Sequence, residues 1–105
     1  MGREQPEKII REAIIKRLRY EGWFVTILHG NAYQMGLPDL YATHSLYGGR
    51  WIEVKNPVKY QFTQAQLQTF PKLVANGTNV YVLTGASDDQ IACLFKLSNW
   101  HTFLL

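Results

Sequence analysis

Gly36-Leu37-Pro38-Asp39-Leu40 and, across a short spacer, Trp51-Ile52-Glu53-Val54-Lys55-Asn56-Pro57 form the stretch on which the reading of this chain turns. Asp39 to Thr43 and Arg50 to Lys55 read as two strands joined by a turn containing Gly48 and Gly49, hence a β-hairpin. Asn56-Pro57 ends the second strand, since Pro has no N–H to give a ladder. With the turn centred near Leu46, Asp39 faces Glu53 and Tyr41 faces Trp51. Glu53 and Lys55 then share one side of the strand, and Val54 points to the other. Directly opposed residues have Cβ atoms about 4.5–5.5 Å apart. Two carboxylates at that separation repel by roughly 1–4 kcal/mol between dielectrics of 80 and 20. A sequence shaped by stability alone would avoid the pair. A hard divalent cation removes the difficulty, because ions such as Mg²⁺ bind carboxylate and carbonyl oxygens. The Val54 carbonyl, between Glu53 and Lys55, offers a third oxygen.

Lys55 beside such a cation has no obvious structural use. It can orient or deprotonate an attacking water, or offset charge on a phosphorane-like transition state. Singly, an Asp after Pro is ordinarily a turn residue, and Glu-x-Lys is ordinarily an exposed strand face. Together, on a basic chain, they point to phosphodiester hydrolysis.

Outward from the hairpin, Pro6 to Glu21 reads as a helix, with Ile10, Ile14 and Leu18 on one stripe and Gly22 as its stop. Trp23 to Leu28 reads as a strand, and His29 to Met35 as a loop. Thr63 opens a second helix to about Asn76, which Pro71 should kink or split. Val80 to Leu83 is an apolar run expected at the centre of a sheet, covered on both faces. Thr84 to Gln90 reads as a loop and Ile91 to Leu97 as a last strand; Asn99 to Leu105 carries no clear signal. The order is helix, three strands, helix, two strands: an α/β chain with a mixed central sheet flanked by helices.

The chain has 105 residues, 47% hydrophobic, with eleven Lys and Arg against eight Asp and Glu for a net charge of +3. That length fits one domain over residues 1–105, and the apolar content excludes a disordered tail. No apolar run is long enough for a membrane span. The opening residues lack the apolar core of a secretory signal and Cys93 is a lone cysteine, so the expected location is the cytoplasm. Charged residues are 18% of the chain, below the usual ~25%, which favours a surface covered by a second copy. No His/Cys pattern suits zinc.

The quoted motifs resemble the Pro-Asp…(Asp/Glu)-x-Lys nuclease superfamily. More narrowly, they are similar to the virus-type replication-repair nuclease (VRR-NUC) domain, with its Gly-x-Pro-Asp-Leu, Ile-Glu-Val-Lys and Thr-x-x-Gln segments. The resemblance covers roughly Glu7 to Leu83. It implies an αβββαβ nuclease core, dependence on Mg²⁺ or Mn²⁺, and DNA cleavage. Stand-alone members of this size, from phages and bacteria, resemble homodimeric DNA-repair nucleases that cut four-way (Holliday) junctions. By that resemblance Asp39, Glu53 and the Val54 carbonyl bind metal, and Lys55 is catalytic.

The resemblance also places a glutamate on the first helix. At 100° per residue from Glu7, the stripe of Ile10, Ile14 and Leu18 falls at 300°, 340° and 20°. Glu7 therefore shares it, whereas Glu12 faces away and Glu4 precedes the helix. Glu7 is the expected metal and catalytic glutamate, against a simpler role at the helix dipole. Gln66 belongs to a capping box with Thr63 and equally to the family's active site, two uses that compete for one side chain. His29 and the basic residues Lys8, Arg11, Arg50, Lys59 and Lys72 are candidate DNA contacts, with Tyr33, Tyr60 and Gln61 nearby. Two other readings keep the same residues: a restriction- or recombination-associated nuclease, and a non-catalytic DNA-binding module.

Overall fold

Ile10, Ile14 and Leu18 are all buried on one stripe of the first helix, α1 (Glu7–Tyr20), for which Pro6 is the N-cap. The structure, a computed structural model, describes residues 6–28 and 35–104. His29 and Tyr33 in the loop after the first strand, and Glu4 before α1, lie outside the described residues. After α1 come β1 (Phe24–Ile27), β2 (Leu40–His44), β3 (Gly48–Val54), α2 (Gln64–Ala75) and β4 (Val80–Leu83). A short α3 (Asp88–Ala92) and 3₁₀ turns at Cys93–Phe95 and Trp100–Leu104 complete the chain. The sheet order is β1-β2-β3-β4, with β1, β2 and β3 antiparallel and β4 parallel to β3. No helix among the described residues is long and apolar enough to cross a membrane.

The hairpin has the expected register. Leu40 pairs with Ile52 and Tyr41 with Trp51, and their rings lie 4.6 Å apart. Its turn is Ser45–Tyr47, so Gly48 and Gly49 belong to β3 rather than to the turn. Gly49 has a packing reason instead: a Cβ there would strike the Tyr41 hydroxyl.

The sheet separates two apolar cores. Ile52, Val54, Leu40, Ala42, Tyr81 and Leu83 face α1, together with Ile91 and Leu94 from the α3 region. On the other face Val80 and Val82 meet Phe70 of α2 and Trp100, with Trp51 and Phe62 against them. All of β4 is therefore buried, as the apolar run predicts, yet β4 is an edge strand and not a central one. Side chains close that edge. Asn99 accepts from the Val82 N–H at 2.7 Å and donates to the Val82 carbonyl at 3.1 Å. Ser98 accepts from the Val80 N–H and donates to the Val80 carbonyl. Asn99→Ala should lower the unfolding free energy by about 1–3 kcal/mol, the cost of orphaning buried backbone groups, as read in urea melts.

The last strand expected at Ile91–Leu97 does not form. Ser87 caps α3 by accepting from the Gln90 N–H, Asp88 and Asp89 occupy its first turn, and Ile91 and Leu94 are buried at helical spacing. Helix α2 runs unbroken through Pro71. Pro71 is exposed, so the carbonyl one turn back that loses its N–H partner lies on a side where water can serve it.

Candidate active site

The end of β3, the residue before β2 and the first turn of α2 meet at one end of the sheet. Gly36 makes this possible. Its φ is +83°, and a Cβ there would fall 2.5 Å from the Ala65 carbonyl oxygen, so only glycine lets the Pro38-Asp39 segment run against the backbone of α2. Asp39 then donates its N–H to Glu53 Oε1 at 3.2 Å, and its Oδ2 accepts from the Val54 N–H at 2.8 Å. These two bonds tie the Glu53 carboxylate to the Asp39 backbone and the Asp39 carboxylate to the backbone of Val54, the residue after Glu53. Because N–H and C=O of one strand residue point the same way, the Val54 carbonyl also faces the Asp39 side.

Glu53 and Lys55 extend toward α2 and are 3% and 5% exposed, so every polar atom needs a partner. Lys55 Nζ lies 2.9 Å from Glu53 Oε2 and donates to the Gln61 carbonyl at 2.6 Å and to Gln66 Oε1 at 3.3 Å. Its ammonium also sits 4.8 Å over the Phe62 ring. Three acceptors and an aromatic face satisfy all three protons of a buried cation.

Gln66 shows why its two expected uses do not compete. Its Oε1 accepts from the Thr63 N–H at 3.0 Å, completing the capping box, while its Nε2 donates to Glu53 Oε2 at 2.8 Å. One end of the amide starts the helix and the other holds the carboxylate. Gln66→Glu should separate the roles: it keeps the cap acceptor but sets a carboxylate against Glu53. Its stability should then fall steeply with rising pH, whereas Gln66→Ala should cost about 1 kcal/mol at pH 5, where Glu53 is neutral, and somewhat more at pH 8, where the ionised Glu53 misses the Gln66 bond. Both should slow any cleavage about ten- to a hundredfold, as lost supports of a ligand do.

Burial pushes the Glu53 carboxyl up to about 7, with the Asp39 charge adding to it; the Lys55 charge and the bonds from Lys55 and Gln66 oppose the rise. Asp39 is also raised, again chiefly by burial, against the Val54 N–H and the positive charges of Arg11 and Lys55. Two carboxyls held uncomfortably together suit a shared cation.

No family model matches the chain, and no curated protein matches it. A solved structure titled "VRR_NUC domain" superposes on 85% of this chain and 92% of its own, with a TM-score of 0.70 and 22% identity. The chain shares its fold with a VRR_NUC domain. In this fold Asp39, Glu53, the Val54 backbone, Lys55 and Gln66 come together at one end of the sheet.

Other candidates sit differently. Glu7 is exposed on the first turn of α1, and α1 packs on the opposite sheet face from Glu53. It reaches the site only past the end of the sheet, near enough for its charge to raise Asp39. No three His, Cys, Asp or Glu gather among the described residues, so Glu7 does not stand with Asp39 and Glu53 as a third carboxylate. Arg50 is not free for DNA. Its guanidinium donates to the carbonyls of Leu94, Tyr47 and Gly49 and lies over Trp23, at the hairpin end away from Glu53. Arg11 lies within charge reach of Asp39, and Lys8 and Lys59 are exposed on α1 and on the loop after Asn56. Lys72 is exposed in the last turn of α2, remote from the helix end that carries Gln66. Sequence reasoning missed the Gln61 carbonyl, the Phe62 ring, and Asn56, whose Oδ1 accepts from the Val58 and Lys59 N–H groups to shape that loop. Asn-Pro was a usable signal for the last; nothing marked the other two.

Proposed function

We propose that this protein is a divalent-metal-dependent endodeoxyribonuclease that works as a homodimer on four-way DNA junctions in the cytoplasm. The observation that supports it best is the pair of bonds that fix the Glu53 carboxylate on the Asp39 N–H and the Asp39 carboxylate on the Val54 N–H, with Lys55 in contact with Glu53. The donor set is all hard oxygen, two carboxylates and the Val54 carbonyl, and fits Mg²⁺ or Mn²⁺ rather than zinc. When bound, such an ion acts as a Lewis acid on the scissile phosphate and makes hydroxide available near neutral pH.

The chain's own residues supply the rest. Glu53 and Asp39 hold their oxygens on one side of the sheet end, fixed by backbone N–H groups. Gln66 keeps Glu53 from swinging away. Lys55 places a positive charge where a phosphate bridging that end would gather negative charge in the transition state. Arg11, within charge reach of Asp39, and the exposed Lys8 and Lys59 supply positive charge to neutralise the DNA backbone without reading bases.

The test is cleavage of a strand-labelled four-way junction and of plain duplex across an Mg²⁺ and Mn²⁺ titration. Metal-dependent cutting of the junction in preference to duplex supports the reading. Equal cutting of both removes the junction claim and leaves the nuclease, and no cutting with either metal removes the enzyme.

A further inference from the structure

The two edges of the sheet are finished differently. Ser98 and Asn99 close the β4 edge, whereas among the described residues β1 pairs with β2 alone. Leu28 gives its N–H to the Asp39 carbonyl, so alternation turns the backbone groups of Val25 and Ile27 away from β2. Among the described residues no strand lies against them. Edge strands are normally blunted by Lys, Pro or a bulge, and Phe24-Val25-Thr26-Ile27 has none of these. It leaves Phe24 72% and Ile27 38% exposed.

An open groove of about 390 Å³ runs along this edge, lined by Glu12, Ile15, Lys16 and Arg19 of α1 and by Ile27. The three charges make no ion pair with a described residue. An acid stands first along the helix and two bases follow, one and two turns on. An antiparallel copy of the same helix therefore brings acid against base in both directions. A purely acidic partner would strand Glu12, and a purely basic one would strand Lys16 and Arg19.

We propose that a second copy of this chain covers this edge, β1 against β1 and α1 beside α1, about a twofold axis through Thr26. Val25 then faces Ile27 of the second copy, and four N–H to carbonyl bonds form, two from each chain. Ile15 and Ile27 give the seam an apolar floor, and Glu12 meets Lys16 and Arg19 of the second copy. Because the axis is perpendicular to the sheet, both Asp39–Glu53 sites lie on the same face of one continuous sheet. Strand spacing and rise put them about 20 Å apart. This rests on the dimeric part of the proposed function and is independent of its chemistry.

The test is light scattering after size exclusion, with dissociation constants from analytical ultracentrifugation. Wild type is expected to be a dimer. Ile27→Pro removes an outward N–H that β2 does not use, and should raise the dissociation constant at least tenfold while the protein stays folded by circular dichroism. Arg19→Glu and Glu12→Lys should each do the same. The triple reversal Glu12→Lys, Lys16→Glu, Arg19→Glu should restore the dimer, which a merely structural role for these residues would not produce. A dimer unmoved by all of these overturns the surface and leaves the dimeric reading. A wild-type monomer overturns both and leaves the nuclease; protection of the Val25 and Ile27 amides in that monomer would show that the chain covers its own edge.

Discussion

Asp39→Asn is expected to abolish metal-dependent cleavage and, in the same protein, to raise the stability of the metal-free fold. Its amide oxygen can still accept from the Val54 N–H, so the geometry of the sheet end survives. What disappears is a negative charge raised by burial that also helps push Glu53 up to about 7. Both carboxyls therefore have folded pKa values above their unfolded ones. The folded state keeps protons that the unfolded state gives up, and the stability of metal-free wild type falls as pH rises from the unfolded carboxylate range through about 7. Relief of a close like-charge pair is worth on the order of 1–2 kcal/mol here. The gain should be largest at pH 8 and small at pH 4, where Glu53 is protonated and no like-charge pair remains. Urea melts in chelator at the two pH values measure it. Mn²⁺ should raise the melting temperature of wild type and leave that of the variant unchanged, because a ligand stabilises only a fold that binds it. A variant less stable than wild type at pH 8 would remove the idea that the two carboxylates are held apart from their ease by the fold.

The hairpin was the most legible part of the chain because its constraints are local. A short turn centred on Leu46 fixes the pairing, the pairing sets Asp39 opposite Glu53, and alternation sends Lys55 to the same side. The same locality misled at Gly48-Gly49, where the glycine requirement comes from the Tyr41 side chain, two residues away along the partner strand. Ile91 to Leu97 looked like a strand because its apolar residues are dense. The Ser87 cap and the spacing of Ile91 and Leu94 carried the opposite signal. An apolar run reports burial and not centrality, which is why β4 was misplaced: Ser98 and Asn99 do for its outer edge what another strand would have done. At the site, side-chain partners could be named in advance, but a backbone carbonyl such as that of Gln61 has no sequence signature. Arg50 carries the opposite lesson. A basic residue of the hairpin is spent on joining it to the turn at Leu94.

Lys55→Met should be the change to the site that costs the fold most stability, and its cost should depend on pH. The lysine is 5% exposed and holds Glu53, the Gln61 carbonyl and Gln66 together above the Phe62 ring. Methionine fills much of the volume but leaves the Gln61 carbonyl without its donor and Glu53 without its counter-charge. The two influences from Lys55 that hold the Glu53 carboxyl down are then gone, and it rises above its wild-type value of about 7. Such a group destabilises the fold progressively as pH climbs, since unfolding releases a proton that the folded state retains. Breaking a buried ion pair costs about 3–5 kcal/mol; that loss is expected at pH 8, with a smaller one at pH 5, where Glu53 is neutral in both proteins. Cleavage at saturating metal should drop about 10²–10⁴-fold. Lys55→Arg separates charge from geometry. Its planar guanidinium keeps the charge but cannot offer three protons to Glu53, Gln61 and Gln66 from a single point, so it should recover part of the pH 8 stability with little of the activity. Single-turnover cleavage beside melts at the two pH values distinguishes these effects. Full activity in the Arg variant would mean that Lys55 acts only as a counter-charge to Glu53, and equal losses at both pH values would mean that it acts only as packing.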